Sequence, residues 1–237
     1  FGASDSGGGK NMNGRLDEVK IYNCALDASQ ISDIMTKVLH WNFNEGSGET
    51  LYDQSGNGND GDTQHMESGD WDDTFGRDCL SFNGDDEYVR LDNGSLSEPL
   101  YGDLTVACWV RFEDTGTNDR IFDLAESSGH GLQVAVNGDG GVRIDDSGGV
   151  GIVQNSESTG LDNEWHHIAA VRSGTVIRLF VDGVKEDTGS TDVHTYTRFF
   201  GASDSGGGKN MNGRLDEVKI YNCALDASQI SDIMTAD

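Results

Sequence analysis

The chain has 237 residues, with 42 acidic against 16 basic side chains and a formal net charge of −26. Such a surface repels nucleic acids and anionic membranes, which excludes both as partners. No apolar run of about 18 residues is present, so no membrane-spanning helix is predicted. The Asp-rich, Lys-poor composition resembles that of halophilic proteins. Bound cations, a salty habitat and plain solubility are the three interpretations of this charge.

The first 36 residues are repeated at the end of the chain, because Phe1 to Thr36 reads letter for letter as Phe200 to Thr235. The spacing of the copies suits a whole domain rather than a solenoid unit. We therefore expect residues 1–36 to close a preceding identical repeat, 37–235 to form a complete domain, and 236–237 to begin the next linker. The alternatives are a segment donated to a neighbouring molecule and a fragment boundary that cuts a domain.

Short runs rich in β-branched and aromatic residues follow one another along the chain, and several alternate with period two. In order they are VLHWNF, CLSF, EYVRL, LTVACWVRF, RIFDLA, GLQVAV, GVRID, WHHIAAV, VIRLFVDG and GRLDEVKIY. Turn sequences such as NGDD, NGDGG and RSGT separate them. The sequence therefore predicts an all-β fold, a two-sheet antiparallel sandwich of the jelly-roll type.

One short helix is predicted at the end of each repeat, in ALDASQISDIM. Asp226 is a suitable N-cap, and Gln229 stands three residues later, as a capping box requires. Leu225, Ile230 and Ile233 are expected to face the sandwich.

Each repeat holds three cysteines, because Cys24 and Cys223 occupy the same position of the two copies. Cys108 alternates with valines in LTVACWVRF and is expected in the core. Cys79 and Cys223 lie beside chain reversals, where a disulfide between them is one option and a link between repeats is another.

Five motifs, in order, resemble the laminin-G-like, concanavalin A-like jelly rolls of extracellular proteins. They are VLHWNFNEGSGETLYDQSGNGNDG, CLSFNGDDEYVRL, LTVACWVRF, NEWHHIAAVRSGTVIRLFVDGV and GRLDEVKIYNCALDASQI. The resemblance covers nearly the whole repeat and implies both the fold and an extracellular or cell-surface location. One fold hosts many functions, so the function has to be argued from the site.

Catalytic motifs are missing from the sequence. Related jelly rolls that cleave polysaccharides carry a Glu-x-Asp-x-Glu strand, whose carboxylates act as acid and nucleophile. That spacing does not occur here, and DDEYVRLD and LDEVKIY come nearest to it. Gly-x-Ser-x-Gly, His-Glu-x-x-His and a phosphate-binding glycine loop are also absent. The sequence predicts a non-enzymatic domain.

The loop YDQSGNGNDG gives the strongest chemical signal, because Asp53, Asn57 and Asn59 offer the oxygen ligands that calcium prefers. Period two puts Asp216 on the same face as Val218, so its carboxylate is expected to point inward, where a metal would offset the cost of burial. The resemblance implies the same structural calcium. We predict a calcium site of Asp53, Asn57, Asn59 and Asp216. The alternative is an Asx-rich turn that hydrogen-bonds its own backbone, with Asp216 bound to loop amides.

Two further groups of residues are expected to be structural. His166 and His167 are neighbours on a predicted strand and point to opposite faces, so they do not suit one shared metal. The acidic clusters Gly69 to Asp73 and Asn83 to Glu87 are interpreted as solvated, salt-adapted turns rather than cation sites.

Two functions are consistent with the sequence. The first is a structural or adhesive repeat that assembles head to tail with neighbouring copies into a surface fibre or filament, stabilised by calcium, with strand donation as one route. The second is a carbohydrate-binding module of a larger secreted protein, because loop aromatics can stack on sugar rings. The candidate aromatics are Trp71, Tyr101, His130 and Tyr196.

Overall fold

A computed structural model divides the chain into two units, Phe1–Met35 and Thr36–Asp237. The residues that it describes are 21, 24–26, 31, 36–91, 96, 102–113, 119–125, 131–146, 151–153, 159–161, 163–190, 199–203 and 209–236. The first unit is therefore described at a few positions only, whereas the second is described over most of its length.

The second unit is a sandwich of two antiparallel sheets. Its strands are β1 (Lys37–Trp41), β2 (Thr50–Leu51), β3 (Gly61–Gln64), β4 (Trp71–Asp72), β5 (Cys79–Asn83), β6 (Tyr88–Arg90), β7 (Leu104–Phe112), β8 (Arg120–Ala125), β9 (Gly131–Val136), β10 (Val142–Asp146), β11 (Gly151–Val153), β12 (His166–Ser173), β13 (Val176–Val181), β14 (Val184–Ser190), β15 (Phe199–Phe200) and β16 (Asn212–Tyr221). A helix, α1 (Ala227–Thr235), follows the last strand. The predicted all-β jelly roll is confirmed.

The order of the strands shows how the unit is closed. The first sheet runs β14-β13-β12-β7-β16-β5-β4. On the side of β16 away from β7, β5 pairs with its first half and β1 pairs with its second half. The second sheet runs β11-β10-β9-β8-β15-β6-β3-β2. The closing strand β16 therefore lies inside the first sheet, between β7 and β5, and not at its edge. No helix in the described part of the chain is long and apolar enough to cross a membrane.

The core between the sheets follows from period-two alternation. In β7, every second side chain from Leu104 to Phe112 is fully or almost fully buried in the core, including Cys108. Successive side chains on a strand point to opposite faces, so LTVACWVRF places one apolar row in the core and the other row on the outer face of the first sheet. Each large apolar side chain buried in this way contributes about 1.5–3 kcal/mol. The expected core position of Cys108 is confirmed.

Six strands were not among the predicted runs. Three of them, β2, β4 and β15, are two residues long. Two others, β3 and β14, read GDTQ and VKEDTGS, and β14 is an exposed or half-buried edge strand. The sixth, β11, is a three-residue strand at the other sheet's edge. Hydrophobic periodicity gives no signal where a strand is this short or has no apolar row.

Helix α1 begins with the predicted capping box. The carboxylate of Asp226 accepts a hydrogen bond from the backbone N–H of Gln229 at 3.0 Å, and the Gln229 side-chain oxygen accepts from the Asp226 N–H at 3.0 Å. Ile230 is fully buried, as expected, and Leu225 nearly so. These two residues pack on the outer face of the first sheet, against Ala107, Ala169, Val171, Phe180 and Tyr221.

The two copies of the repeated sequence differ in burial where both are described. Ile220 and Ile230 are 0% exposed in the second unit. Their counterparts in the first copy, Ile21 and Ile31, are 77% and 47% exposed. Identical residues thus bury their side chains in one copy and not in the other. That the first copy closes a preceding domain stays a prediction.

All four cysteines are free thiols. The Cys79 thiol donates to the backbone oxygen of Asp72 at 3.0 Å, and Cys223 packs against the cluster under the helix. The option of a Cys79–Cys223 disulfide is therefore not realised. Burial raises the pKa of Cys79 to about 12, which keeps this thiol protonated and unreactive at neutral pH.

Candidate functional site

The carboxylate of Asp53 organises the loop that was predicted to bind calcium. One oxygen accepts from the backbone N–H groups of His40 and Ser55, both at 2.9 Å. The other accepts from the Ser55 hydroxyl at 2.8 Å and from the Asn59 N–H at 3.0 Å. A carboxylate has about four acceptor positions, and protein donors occupy all of them here.

The two asparagines of the loop fasten it to β1. Asn57 donates its side-chain amide to the backbone of this strand at 3.1 Å. Asn59 donates to the Val38 carbonyl at 2.6 Å, while its amide oxygen accepts from the Leu96 N–H at 3.2 Å. The Trp41 indole N–H donates to the Asn59 carbonyl at 3.0 Å. The loop thus has the hydrogen bonding of an Asx-rich turn, which is one of the two arrangements anticipated for it.

Asp216 is buried, but it does not lie on the predicted face. Leu215 and Val218 both belong to the core. Two residues lie between them in β16, whereas a regular strand has one residue between successive core positions. The register with β7 shifts between Asp216 and Lys219, and Glu217 has a φ of 52°. This β-bulge puts Asp216 on the outer face of the sheet, opposite Trp109. The expectation that Asp216 shares a face with Val218 is wrong for this reason.

The partner of Asp216 is Arg77, whose guanidinium donates to it at 2.7 Å. The pKa of Asp216 is raised to about 7, mainly because the carboxyl group is buried. The hydrogen bond from Arg77 reduces this rise, and the charge of Glu217 adds to it. The structure therefore brings Asp53, Asn57 and Asn59 together and ties Asp216 to an arginine instead. Among the described residues, no group of three His, Cys, Asp or Glu side chains is arranged to hold a metal ion. This donor arrangement does not fit calcium as it stands, and the calcium site stays a prediction.

The adjacent histidines have separate surroundings. His166 pairs with the Asp182 carboxylate at 2.7 Å. His167 is 2% exposed and lies edge-on to the Trp109 ring, with 5.6 Å between ring centroids. Burial, together with the charge of Lys219, lowers the pKa of His167 to about 4, so the ring is neutral at physiological pH. These contacts match the structural role expected for the pair.

A cavity of about 260 Å³ opens beside β4 and the loop that joins it to β5. Its walls come from two separate segments, the loop after β1 and the region from β4 to the start of β5. The residues that line it are Phe43, Asn44, Gly46, Trp71, Asp72, Asp73, Asp78 and Cys79. Two aromatic residues, one asparagine and three aspartates thus line a space that suits one sugar ring or another small polar ligand. We refer to it as the acidic cavity.

The three carboxylates of the acidic cavity are not equivalent. Asp72 accepts from the Thr74 N–H at 2.8 Å and from the Arg214 guanidinium at 2.7 Å. Burial raises its pKa, but these hydrogen bonds outweigh burial and leave the pKa below its ordinary value, so Asp72 is ionised. Asp73 and Asp78 are exposed. Among the ion pairs of the described residues, neither has a cationic partner.

The remaining polar wall is Asn44. With its side-chain amide turned to donate, its nitrogen lies 3.0 Å from a carboxylate oxygen of Asp78. Trp71 is half-buried against the core, and its indole N–H donates to the Gly48 carbonyl at 3.4 Å. Of the four aromatic candidates from the sequence, Trp71 lines the cavity. Tyr101, His130 and Tyr196 lie outside the described residues.

The loop at the rim of the acidic cavity is held to the outer face of the first sheet. The Phe75 ring packs against two guanidinium groups, with Arg111 4.0 Å and Arg214 4.3 Å from the ring centroid. Two residues later, Arg77 stacks over Trp109 at 4.1 Å. Cation–π contacts of this kind contribute about 0.5–2 kcal/mol each. The bulge that displaces Asp216 thus places its carboxylate where it anchors this loop through Arg77.

A second polar cluster crosses β8, β9 and β10 on the outer face of the second sheet. Arg120 donates to the Gln133 side chain at 2.8 Å, and Gln133 donates to the Asp123 carboxylate at 2.6 Å. Asp145 accepts from Arg143 at 2.7 Å and lies 3.5 Å from Arg120. The cluster was not anticipated, although polar residues interrupt the apolar strands RIFDLA and GLQVAV. Asp145 of this cluster is paired with arginines, whereas Asp73 and Asp78 of the acidic cavity have no cationic partner among the described residues.

The family comparison agrees with this architecture. The model of the Concanavalin A-like lectin/glucanases superfamily, Laminin_G_3, matches residues 83–231, which is more than half of the chain. No curated protein matches the chain by sequence.

Several solved structures share the fold at low sequence identity. The binding domain of Paraclostridial Mosquitocidal Protein 1 is 18% identical with a TM-score of 0.62, and 86% of this chain covers 52% of it. The binding domain of botulinum neurotoxin serotype D is 14% identical with a TM-score of 0.67, and the match covers 88% of this chain and 53% of that domain. Domain 4 of AbnA, an extracellular arabinanase from Geobacillus stearothermophilus, was solved in complex with arabinotriose. It is 18% identical with a TM-score of 0.58, and the match covers 83% of this chain and 97% of that domain. The chain spans about half the length of the two toxin domains. At these identities the likeness shows the fold alone.

Proposed function

Because the chain belongs to the Concanavalin A-like lectin/glucanases superfamily, we propose that its second unit is a non-catalytic, extracellular carbohydrate-binding module. Three of the structural neighbours support this class, since two are toxin binding domains and the third, domain 4 of the arabinanase, was solved with arabinotriose. That arabinanase domain is almost wholly covered by the present chain, at 97% of its length.

The acidic cavity is the observation that carries the proposal. It combines a tryptophan wall with two carboxylates, Asp73 and Asp78, that have no cationic partner in the described part of the chain. Ionised carboxylates accept strong hydrogen bonds from sugar hydroxyls. An indole offers the apolar surface on which the C–H face of a sugar ring packs. The cavity is of the size that one ring requires.

The carboxylates on the outer face of the second sheet support a non-catalytic role. A glycosidase needs one carboxyl group with a raised pKa to act as the acid and a second carboxylate near it. Asp145 is instead paired with Arg143 and Arg120, and Asp123 accepts from Gln133. Both carboxylates of this cluster are thus engaged by protein donors.

Binding to an immobilised panel of neutral, amino and acidic oligosaccharides, with EDTA present, tests the proposal. We expect saturable binding to a subset of the panel and no release of reducing ends. Asp232→Asn on the exposed face of α1 is the matched control, since it removes one negative charge away from the cavity and should bind as the parent does. Absence of binding by a folded sample to every glycan of the panel would contradict the proposal.

The repeated segment supports a second function, assembly with neighbouring copies. In the second unit this sequence supplies the internal strand β16 and the helix α1, whose residues Ile220 and Ile230 are buried. Ile21 and Ile31 of the first copy are exposed. We infer that the first copy completes a preceding unit, either in the same polypeptide or in a neighbouring molecule by strand donation. Such a head-to-tail contact does not close on itself, so it builds a fibre.

Sedimentation of the parent chain and of two matched variants tests assembly. Ile21→Asp should abolish concentration-dependent association and leave the second unit folded. Ile220→Asp, at the same position of the other copy, should unfold the second unit because it buries a charge in the core. A parent chain that stays monomeric at every concentration, with the same intact mass in its native source, would contradict assembly.

A further inference from the structure

On the premise that the second unit binds glycans, we propose that the acidic cavity selects a terminal sugar with hydroxyl or amino groups and no negative charge. The uronic acid form of the same sugar would be rejected. The selection comes from the juxtaposition of Asp73 and Asp78 with Trp71 in one cavity of about 260 Å³.

The available groups of the cavity mostly accept hydrogen bonds. Asp73 and Asp78 contribute carboxylate oxygens, which accept hydrogen bonds. Asn44 is the polar side chain there with N–H groups, and one of them already lies 3.0 Å from Asp78. A ligand that fits must therefore supply donors, and neighbouring hydroxyls or an ammonium group do so.

The electrostatics of the cavity oppose an anion. Three carboxylates line it, and the guanidinium that reaches its lining, Arg214, is already shared between Asp72 and Glu113. A ligand carboxylate would sit a few ångströms from Asp73 and Asp78, where like charges near a protein surface repel enough to weaken binding about tenfold or more. The same field favours an amino sugar.

The cavity is held in shape before any ligand arrives. The rim loop that contains Asp73 and Asp78 is fixed at Phe75 by Arg111 and Arg214 and at its end by Arg77. Trp71 is tied to the Gly48 carbonyl. A preformed site does not spend binding free energy on ordering its own side chains, so the discrimination between sugars is expressed in full.

The test compares matched ligand pairs: methyl galactoside with methyl galacturonide, methyl glucoside with methyl glucuronide, and methyl glucosaminide as the amino sugar. The proteins are the parent chain, the double variant Asp73→Asn/Asp78→Asn, and Asp232→Asn. Dissociation constants are measured by titration at moderate ionic strength with EDTA present.

We expect the parent to bind at least one neutral glycoside about tenfold or more tightly than its uronide, and to bind the glucosaminide at least as well. The double variant should bind the neutral glycoside about 10- to 100-fold more weakly, because charged hydrogen bonds are lost, and should discriminate against the uronide by less than about threefold. Asp232→Asn should behave as the parent in both respects.

Two results would overturn the selection and leave glycan binding intact. One is a parent chain that binds a glycan of the panel but prefers the uronide. The other is a double variant with the affinity and discrimination of the parent, which would place the sugar elsewhere. A folded parent chain that binds no glycan of the panel and none of the glycosides overturns both the selection and the proposed function.

Discussion

Two acidic segments of the second unit, the Asp53 loop and the acidic cavity, have similar compositions and opposite uses. In the Asp53 loop, four protein donors occupy the carboxylate, and the neighbouring asparagines bind the first strand. In the acidic cavity, Asp73 and Asp78 are exposed and without a cationic partner in the described residues. Acidic residues near glycines therefore do not identify a ligand site. What separates a turn from a site is whether the oxygens are already satisfied.

The largest effect is expected from removing the acid that holds the loop. Asp53→Ala leaves three backbone N–H groups and one hydroxyl without their acceptor, and we expect a loss of about 3 kcal/mol in unfolding free energy. Asp78→Ala, at the exposed rim, should cost less than about 0.5 kcal/mol and should weaken sugar binding instead. Urea unfolding of both variants measures the contrast. Equal losses of stability would remove the distinction between the two segments.

The next effect tests whether the rim loop is anchored through Asp216. Arg77→Ala leaves the buried Asp216 carboxylate without its guanidinium and removes the stack on Trp109, so a loss of about 2–3 kcal/mol is expected. Glycan affinity should fall as well, because the rim is no longer fixed. Asp62→Asn breaks the more exposed pair with Arg90 and is the control, with a cost below about 1 kcal/mol. If the two variants lost the same stability, Arg77 would not be an anchor.

A third acid, Glu87, sharpens the contrast because it is buried and lies close to another carboxylate. Its pKa is raised from 4.5 to about 7, mainly because the carboxyl group is buried. The hydrogen bond from the Asn83 N–H reduces this rise, and the charge of Asp70 adds to it. The folded state therefore holds a proton that the unfolded state loses, and stability should fall as pH rises from about 4.5 to about 7. Asp216, with its raised pKa, acts in the same direction.

Glu87→Gln isolates the contribution of Glu87. The unfolding free energy of this variant relative to the parent should increase between about pH 4.5 and pH 7 and stay constant above that range. Urea unfolding at pH 4.5, 6 and 8 provides the three points. A difference that does not change with pH would show that Glu87 is ionised in the folded protein throughout.

The smallest effect is expected from calcium. Because protein donors already occupy the oxygens of Asp53, we expect the thermal midpoint to be the same in EDTA and in millimolar calcium. A midpoint that rises with calcium in the parent, but not in Asp53→Asn, would support the calcium site predicted for Asp53, Asn57, Asn59 and Asp216. Magnesium at the same concentration controls for ionic strength.

The sequence predicted the fold well because its signals are local. Alternation in LTVACWVRF and the capping box at Asp226 each depend on residues within one turn or one strand, and both are present in the structure. The short and polar strands β3 and β14 were missed because pairing with a neighbour, rather than an apolar row, makes them strands.

The site was harder to predict for two physical reasons. A β-bulge shifts the alternation by one residue, and at Glu217 no glycine or asparagine marks the positive φ. The acidic cavity brings Asn44, from the loop after β1, together with Asp73 and Asp78, from the loop between β4 and β5. Because these two loops are far apart in the chain, no spacing in the sequence reveals the cavity. The cluster Gly69 to Asp73 was interpreted as a solvated turn, although it supplies one wall of the cavity. A tryptophan among closely spaced aspartates was the signal available.

The indole N–H resonances of Trp71 and Trp41 test the central claim most directly. Trp71 donates to Gly48 beside the acidic cavity, and Trp41 donates to Asn59 in the Asp53 loop, so each indole reports on one of the two segments. During titration with the neutral glycoside that binds best, in EDTA, we expect the Trp71 resonance to move saturably and the Trp41 resonance to stay in place. A shift of Trp41 without a shift of Trp71 would contradict the account, because the ligand would then bind at the loop.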